Sequence, residues 1–289
     1  MIVKVLHLEP TDSCQAACPQ CARETDQTFD KNDQNHLTVA QIKELFTEQQ
    51  IKQLDKMYMC GVYGDPAAGK HTLEIFKYFR SVNPTITLGM NTNGGLRNSE
   101  WWRELAEILS GEKDYVIFSI DGLEDTNHIY RVNVNWSKVI DNVNTFITAG
   151  GYAHWDMLVF EHNQQQVDEC EQLARELKFS WFRAKVTRRH DFIPIDFLKS
   201  PKGWNNPTVS EGTITCQAIK EQSIYISAKG VQYPCCYLGT TSHTLDQFDS
   251  IQQSWVSDTP NYVCKITCTK LDHGTSYTNQ WQREIELIV

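Results

Sequence analysis

The stretch Cys14-Gln15-Ala16-Ala17-Cys18-Pro19-Gln20-Cys21 places three thiols within eight residues. It follows directly on Ile2-Val3-Lys4-Val5-Leu6-His7-Leu8, an apolar, β-branched run that reads as a strand. The thiols therefore sit on the loop that leaves the first strand. Three thiolates fixed on one short loop can bind three corners of an iron–sulfur cube. A cubane ordinarily takes four Cys ligands, so the fourth iron would be open to a ligand from outside the protein. Structural zinc closes a tetrahedron with four protein ligands, and no nearby fourth Cys completes one here.

Working outward, Thr38-Val39-Ala40-Gln41 reads as a capping box ahead of Ile42, Leu45 and Phe46. A second strand, Lys56–Gly61, ends in Tyr63-Gly64-Asp65-Pro66, and a helix with Leu73, Ile75, Phe76 and Phe79 on one face follows. Strand three, Thr85–Met90, runs into Asn91-Thr92-Asn93-Gly94-Gly95. Ser99 is the expected cap of a helix with Trp102, Leu105, Ile108 and Leu109 on its apolar face. Strand four, Tyr115–Ile120, ends in Asp121-Gly122. The cleanest helical period follows, in Trp136, Val139, Ile140, Val143, Phe146 and Ile147. Strand five is Ala153–Phe160. Val167, Cys170, Ala174 and Leu177 line the next helix, and strand six is Trp181–Val186. Six strands alternating with five helices predict an α/β fold, its parallel sheet built from right-handed crossovers.

The C-x3-C-x2-C spacing, together with polar groups at successive strand ends, resembles the radical S-adenosylmethionine (radical SAM) enzymes. The resemblance covers about residues 1–190 and implies a partial (β/α)6 TIM-like barrel. It also implies a [4Fe-4S] cluster on Cys14, Cys18 and Cys21, whose open iron chelates the amino and carboxylate groups of SAM. An electron from that cluster cleaves SAM to a 5′-deoxyadenosyl radical, which takes hydrogen from the substrate. Gly61-Val62-Tyr63-Gly64-Asp65-Pro66 stands where the family has a Gly-Gly-Glu-type turn holding the SAM amino group. Tyr63 replaces the first Gly and Asp65 the Glu. Asn93 matches the family's Thr-Asn-Gly segment, and Ser119 and Asp121 match its Ser-Leu-Asp-Gly segment, which contacts the ribose or methionine end. Arg131 corresponds to the arginine that pairs with the SAM carboxylate, and Asn163 to an Asn near SAM. Gln20 stands where an aromatic residue usually packs near adenine, so that contact becomes polar or is lost.

Three strand-end features also have readings apart from SAM. Gly61–Pro66 alone is an ordinary strand-to-helix turn with Pro at a first helical position, and Asn-Gly and Asp-Gly are common turn formers. Gly64-x4-Gly69-Lys70 has the spacing of a P-loop, but His71 stands where that motif needs a hydroxyl. Thr187-Arg188-Arg189-His190-Asp191 is either a solvated charge run or a mouth that holds an anionic substrate group, with His190 and Asp191 as proton acceptors.

Residues 191–215 read as a linker, and residues 216–289 as a smaller module. Ser223–Ser227 and Val231–Tyr233 form a predicted hairpin around Ala228-Lys229-Gly230. A helix-like stretch with Leu245, Phe248, Ile251 and Trp255 precedes Cys264 and Cys268, which are expected on a loop. The pattern Cys216-x13-Gly230-x4-Cys235, then Cys264-x3-Cys268, resembles the twitch module, a shortened SPASM domain of radical SAM enzymes. That implies an auxiliary [4Fe-4S] cluster on Cys216, Cys235, Cys264 and Cys268. A tetrahedral zinc site on the same thiols is the other reading, and Cys236 is an alternative ligand to Cys235. Cys60 and Cys170 are expected as small buried hydrophobes.

Apolar content of 40% over 289 residues supports a real core. A net charge of −9 argues against nucleic acid as a partner. No signal-peptide pattern is visible and no apolar run approaches the roughly 20 residues that span a bilayer, so a cytoplasmic protein with no membrane partner is expected. The ten cysteines are too sparse for a disulfide scaffold, which makes clustered thiols metal ligands. No precursor-peptide recognition domain precedes the first strand. The expectation is an oxidoreductase-type radical SAM enzyme acting on a peptide, a protein or a small molecule. An external donor such as flavodoxin or ferredoxin would supply its electron. The alternative is a non-catalytic iron–sulfur redox sensor or scaffold on the same barrel.

Overall fold

The computed structural model describes residues 2–187, 189, 193–203, 213–269 and 283–286. Six strands form the expected parallel core of the sheet: β1 (Val5–Leu8), β2 (Lys56–Met59), β3 (Thr87–Thr92), β4 (Tyr115–Ser119), β5 (Ala153–Val159) and β6 (Trp181–Val186). Between β1 and β2 lie α1 (Ala22–Thr25), α2 (Val39–Leu45) and α3 (Glu48–Lys52). The later crossovers carry α4 (Thr72–Val82), α5 (Ser99–Ile108), the pair α6 (Glu124–Tyr130) and α7 (Trp136–Thr148), and α8 (Val167–Glu176). After the barrel come α9 (Gln217–Glu221), the hairpin β7 (Ser223–Ile226) and β8 (Gln232–Tyr233), α10 (Phe248–Ser254), α11 (Tyr262–Cys268) and β9 (Arg283–Glu286). The sheet order is β8-β7-β1-β2-β3-β4-β5-β6-β9. Among the described residues its two ends do not meet, so the barrel is partial.

Strand periodicity explains the layering. Leu6 and Leu8, Met57 and Met59, Leu88 and Met90, Val116 and Phe118, and Phe182 and Ala184 are all buried. They meet the apolar helix faces: Phe76 and Phe79 of α4, Trp102 and Leu105 of α5, Val143 and Phe146 of α7. Burying each such large side chain contributes roughly 1.5–3 kcal/mol. The alternate positions are largely polar or aromatic, with His7, Tyr58, Tyr115, His154, Asp156, Arg183 and Lys185 on the other face. A parallel strand packed on both faces reads as continuously apolar; this alternation marks a barrel with a polar interior.

Local details depart from expectation. Asn98, not Ser99, caps α5, its Oδ1 accepting from the Trp101 amide at 3.0 Å; Ser99 lies one residue inside the helix. Asn91 and Thr92 belong to β3 rather than to the turn. The Thr38–Gln41 capping box on α2 forms as expected. Cys264 and Cys268 lie on α11, not on a loop, because Asn261 Oδ1 accepts from the Cys264 amide and starts a helix there. Cys170 is fully buried, whereas Cys60 is only partly so.

The hairpin forms around Gly230, which takes φ +75°, a left-handed conformation that glycine adopts without strain. Its first strand pairs in parallel with β1, His7 lying opposite both Tyr58 and Tyr225. The edge of β1 would otherwise present unpaired backbone groups. Among the described residues no helix is long and apolar enough to cross a membrane.

Candidate active site and a second cysteine site

The loop after β1 is built by its own polar residues. Asp12 accepts from the amide and side chain of Asn35 at 2.7 and 2.8 Å, and Thr11 Oγ1 donates to the Asn35 carbonyl. Arg23 donates to the Asp12 carbonyl at 2.5 Å. These contacts leave the three thiols facing the turns after β2 and β3 and the end of α6. Asn93 Nδ2 at the end of β3 approaches Cys14 Sγ at 3.7 Å. Arg131 Nη1, following α6, approaches Cys18 Sγ at 3.8 Å. Cys21 Sγ lies 3.8 Å from the Val62 carbonyl in the turn after β2. Burial raises the pKa of Cys14 and Cys18, and the neighbouring thiols raise both further. Three mutually repelling thiolates in so enclosed a place fit a site for a cationic iron–sulfur group.

The turn after β2 is pressed against this loop. A Cβ on Gly64 would stand 2.0 Å from the Thr11 carbonyl oxygen, and one on Gly61 1.8 Å from that of Gly64, so only glycine fits at either position. Glu9, which sequence reasoning missed, organises the turn. One of its carboxylate oxygens accepts from the amides of Tyr63 and Gly64 at 2.7 and 2.9 Å, and the other accepts from the Tyr225 hydroxyl. Burial pushes the Glu9 carboxyl up to about 7, against the lowering effect of those hydrogen bonds. Its signal in the sequence was a lone carboxylate at the end of an apolar strand, before Pro10. The Tyr63 hydroxyl donates to Asp26 at 2.7 Å, and its ring stacks on Phe29.

Asp65 has its carboxylate engaged within the protein. It accepts from the Ala67 amide, Thr92 Oγ1, and the amide and side chain of Asn93, all within 2.9 Å. The side chain therefore clamps the β2 turn onto the end of β3. Asn93 carries the clamp on to the cysteine loop, its Oδ1 accepting from Gln15 at 2.7 Å.

The β4 end holds the second polar group. Asp121, fully buried, accepts from Arg131 Nε at 2.6 Å and from the Leu158 amide at 2.6 Å. Its carboxylate is thus turned to Arg131 and β5, and Arg131 bridges it to Cys18. Asn163 is buried as well; it accepts from the Phe160 amide and donates to the Asp121 and Leu158 carbonyls, joining the ends of β4 and β5. Ser119 is half-buried at the end of β4. Gln20 is fully buried, donates to the Ile193 carbonyl, and keeps an Oε1 with no partner among the described residues. Arg189 donates to the Gln20 carbonyl. Arg188, His190 and Asp191 lie outside the described residues.

The C-terminal thiols meet in a different setting. Cys216 at the start of α9, Cys235 after β8, and Cys264 and Cys268 one turn apart on α11 all line one small enclosed cavity. The Thr215 amide donates to the Cys268 carbonyl at 2.8 Å, holding the Cys216 segment against the end of α11. Leu238, Phe248 and Trp255 complete the walls. Cys236 does not line the cavity; its charge is felt instead by Tyr58 and Tyr225. Burial pushes Cys235 up to about 12 and Cys264 up to about 11, and the other cavity thiols add to both. Among the described residues no three His, Cys, Asp or Glu side chains converge tightly enough to hold a single metal ion.

An open α/β barrel whose strand ends converge on a three-cysteine loop defines a class of iron–sulfur enzyme fold. Residues 8–181, more than half of the chain, match the family model of the Radical SAM superfamily, and the chain belongs to that superfamily. This family binds a [4Fe-4S] cluster and SAM. No curated protein matches the chain. Among solved structures, Streptococcus suis SuiB bound to precursor peptide SuiA is 14% identical with a TM-score of 0.59, over 84% of this chain and 62% of that one. The chain thus covers less than two thirds of SuiB. Native anSMEcpe with bound AdoMet is 16% identical with a TM-score of 0.54, over 80% and 74%. BtrN in complex with AdoMet and 2-DOIA is 12% identical with a TM-score of 0.54, over 98% and 99%. At these identities the likeness is one of fold.

Proposed function

We propose that this chain is a radical SAM oxidoreductase: it cleaves SAM reductively and oxidises or modifies its substrate with the help of a second, auxiliary [4Fe-4S] cluster. The observation that carries the reading is the convergence of Val62 and Asn93, from the turns after β2 and β3, and of Arg131, from the end of α6, on Cys21, Cys14 and Cys18. When bound, the cluster and SAM supply the electron and the 5′-deoxyadenosyl radical that takes hydrogen from the substrate. The protein's part is to bind and orient. Cys14, Cys18 and Cys21 hold three irons. The Tyr63–Asp65 turn, fixed by Glu9 and Asp65, presents backbone groups to the SAM amino end. Arg131, aimed by Asp121, takes the SAM carboxylate through its remaining N–H donors. The unpartnered Gln20 Oε1 is placed to accept from the adenine amino group, the polar substitute for an aromatic contact.

Cys216, Cys235, Cys264 and Cys268 would hold the auxiliary cluster in a twitch-like module over residues 216–289, with residues 1–190 as the barrel and 191–215 as the linker. Four protein thiolates leave no iron open, so the role assigned to this cluster is to accept an electron from the substrate radical. Its setting supports that role: among the described residues the four thiols line one enclosed cavity. An external flavodoxin- or ferredoxin-like donor would reduce the first cluster. SuiB is seen with precursor peptide SuiA, anSMEcpe with a Cp18Cys peptide and BtrN with 2-DOIA; a peptide or protein and a small molecule are accordingly the two substrate classes to try. His190 and Asp191 are the proton acceptors proposed for the substrate.

Anaerobic reconstitution, with iron and sulfide counted and 5′-deoxyadenosine assayed under dithionite and SAM, tests this reading. About eight irons per chain and deoxyadenosine formation are expected. About four irons with zinc alongside would remove the auxiliary cluster. Two clusters with no deoxyadenosine, even with candidate substrates present, would favour the redox scaffold.

A further inference from the structure

The second cysteine cavity contains one polar side-chain group besides its thiols that calls for an acceptor. The Trp255 indole Nε1 is buried, and among the described residues the Cys264 thiol is the one group it approaches as a hydrogen-bond donor. A buried indole N–H ordinarily finds an acceptor. Packing holds the ring in place: it meets Phe248 edge to face at 6.3 Å, and the Trp255 amide donates to the Gln252 carbonyl. Trp255 lines the cavity together with Cys216, Cys235, Cys264 and Cys268. Burial raises the Cys264 pKa, and the hydrogen bond from the indole opposes it, so the donor is aimed at a cavity sulfur. Leu238, Phe248 and Val263 on the cavity wall carry no side-chain acceptor, and the Thr267 hydroxyl is engaged with the Val263 carbonyl and Cys268 Sγ. Sulfur is the acceptor that the site's chemistry offers.

We propose that the Trp255 indole N–H donates a hydrogen bond to a sulfur of the iron–sulfur cluster held by these four cysteines, and thereby raises its reduction potential. The proposal rests on the auxiliary-cluster reading given above. Hydrogen bonds to cluster sulfurs are among the terms that set iron–sulfur potentials. A donor stabilises the reduced state, which carries the extra negative charge, more than the oxidised one. In an enclosed, mostly apolar cavity this preference is only weakly screened. Trp255 would then be a positioning and tuning residue, making the cluster a better acceptor of the substrate's electron.

The test uses the full chain with Cys14, Cys18 and Cys21 replaced by Ala, so that only the second cluster remains. After anaerobic reconstitution, iron and sulfide are counted and the midpoint potential is read by spectroelectrochemical titration. Native Trp255 is compared with Trp255→Phe and with 3-benzothienylalanine at that position, which keeps the ring size and replaces N–H by sulfur. About four irons per chain and a shift of the midpoint to lower potential in both variants are expected. An unchanged midpoint with iron intact would overturn the proposal and leave Trp255 as packing. No iron, or zinc in its place, in the native-Trp255 protein would instead overturn the auxiliary-cluster reading, and the proposal with it. If the triple variant does not fold, the same comparison is made on the seven-cysteine chain, following the electron paramagnetic resonance signal that does not respond to SAM.

Discussion

Two groups of cysteines in one chain are built on opposite plans. The N-terminal three lie on one loop of eight residues, and each meets a polar or carbonyl group from a different part of the barrel rim. The C-terminal four come from three separate segments and line a closed cavity walled by Leu238, Phe248 and Trp255. The first plan leaves donors and acceptors around the metal position for a ligand that arrives from outside. The second surrounds the position with thiols and mostly apolar side chains. Reactivity and electron storage call for these two environments respectively.

Paired cysteine substitutions challenge the comparison most strongly. Cys18→Ala is expected to abolish deoxyadenosine formation, while Cys264→Ala is expected to leave SAM cleavage running and stop substrate turnover. Deoxyadenosine and product are measured on the same reconstituted samples; if both variants lose SAM cleavage equally, the two sites do not have separate duties.

Arg131→Lys sharpens the N-terminal half. Lysine keeps the charge but cannot hold Asp121 and Cys18 together while presenting a planar fork. Charge-assisted hydrogen bonds are worth roughly 1.5–3 kcal/mol, so SAM affinity is expected to fall on the order of 10- to 100-fold. Equilibrium binding of SAM to the reconstituted enzyme gives the number. An unchanged affinity would mean that the fork does not reach SAM.

A last effect, on stability rather than on turnover, concerns the link between the halves, Glu9 held by Tyr225. Burial lifts the Glu9 carboxyl from its ordinary 4.5 to about 7 in the folded protein. A raised folded-state pKa means that the folded chain binds the proton more tightly. The contribution is therefore fully present below about 4.5 and lost as pH rises through about 7. Its size is about 3 kcal/mol. His7, lowered by burial to about 4, acts in the opposite sense, losing its contribution as pH falls below 6.5. Comparing native and Glu9→Gln chains by urea unfolding at pH 5 and pH 7.5 isolates the carboxyl. The native protein should lose more stability across that interval than the variant does, and parallel losses would place the titration elsewhere.

Much of this architecture was legible in the sequence, because it depends on periods and local chemistry. Alternating strands and 3.6-residue helical faces predicted a parallel sheet, and Trp181–Val186 matches β6 residue for residue. Thr38 and Gln41 announced α2 through a cap that needs only its own four residues. The Cys14–Cys21 spacing marked the site without any tertiary information. Cys264 and Cys268, by contrast, were expected on a loop, since no strong period surrounds them; a single Asn261 cap makes that segment helical.

Tertiary structure decided what spacing cannot encode. Asp65 and Asp121 were marked only by their places in the turns after β2 and β4; the donors that hold each carboxylate come from elsewhere in the chain. Glu9 gained its place only because β7 lies beside β1 and brings Tyr225 to it across 216 residues of chain. The choice of Cys235 over Cys236 in the cavity lining likewise depends on which way two adjacent side chains point. Residue types and their periods determine which elements form, because those depend on neighbours a few positions away. Which polar group faces which partner depends on long-range packing, and only the folded chain brings those partners together.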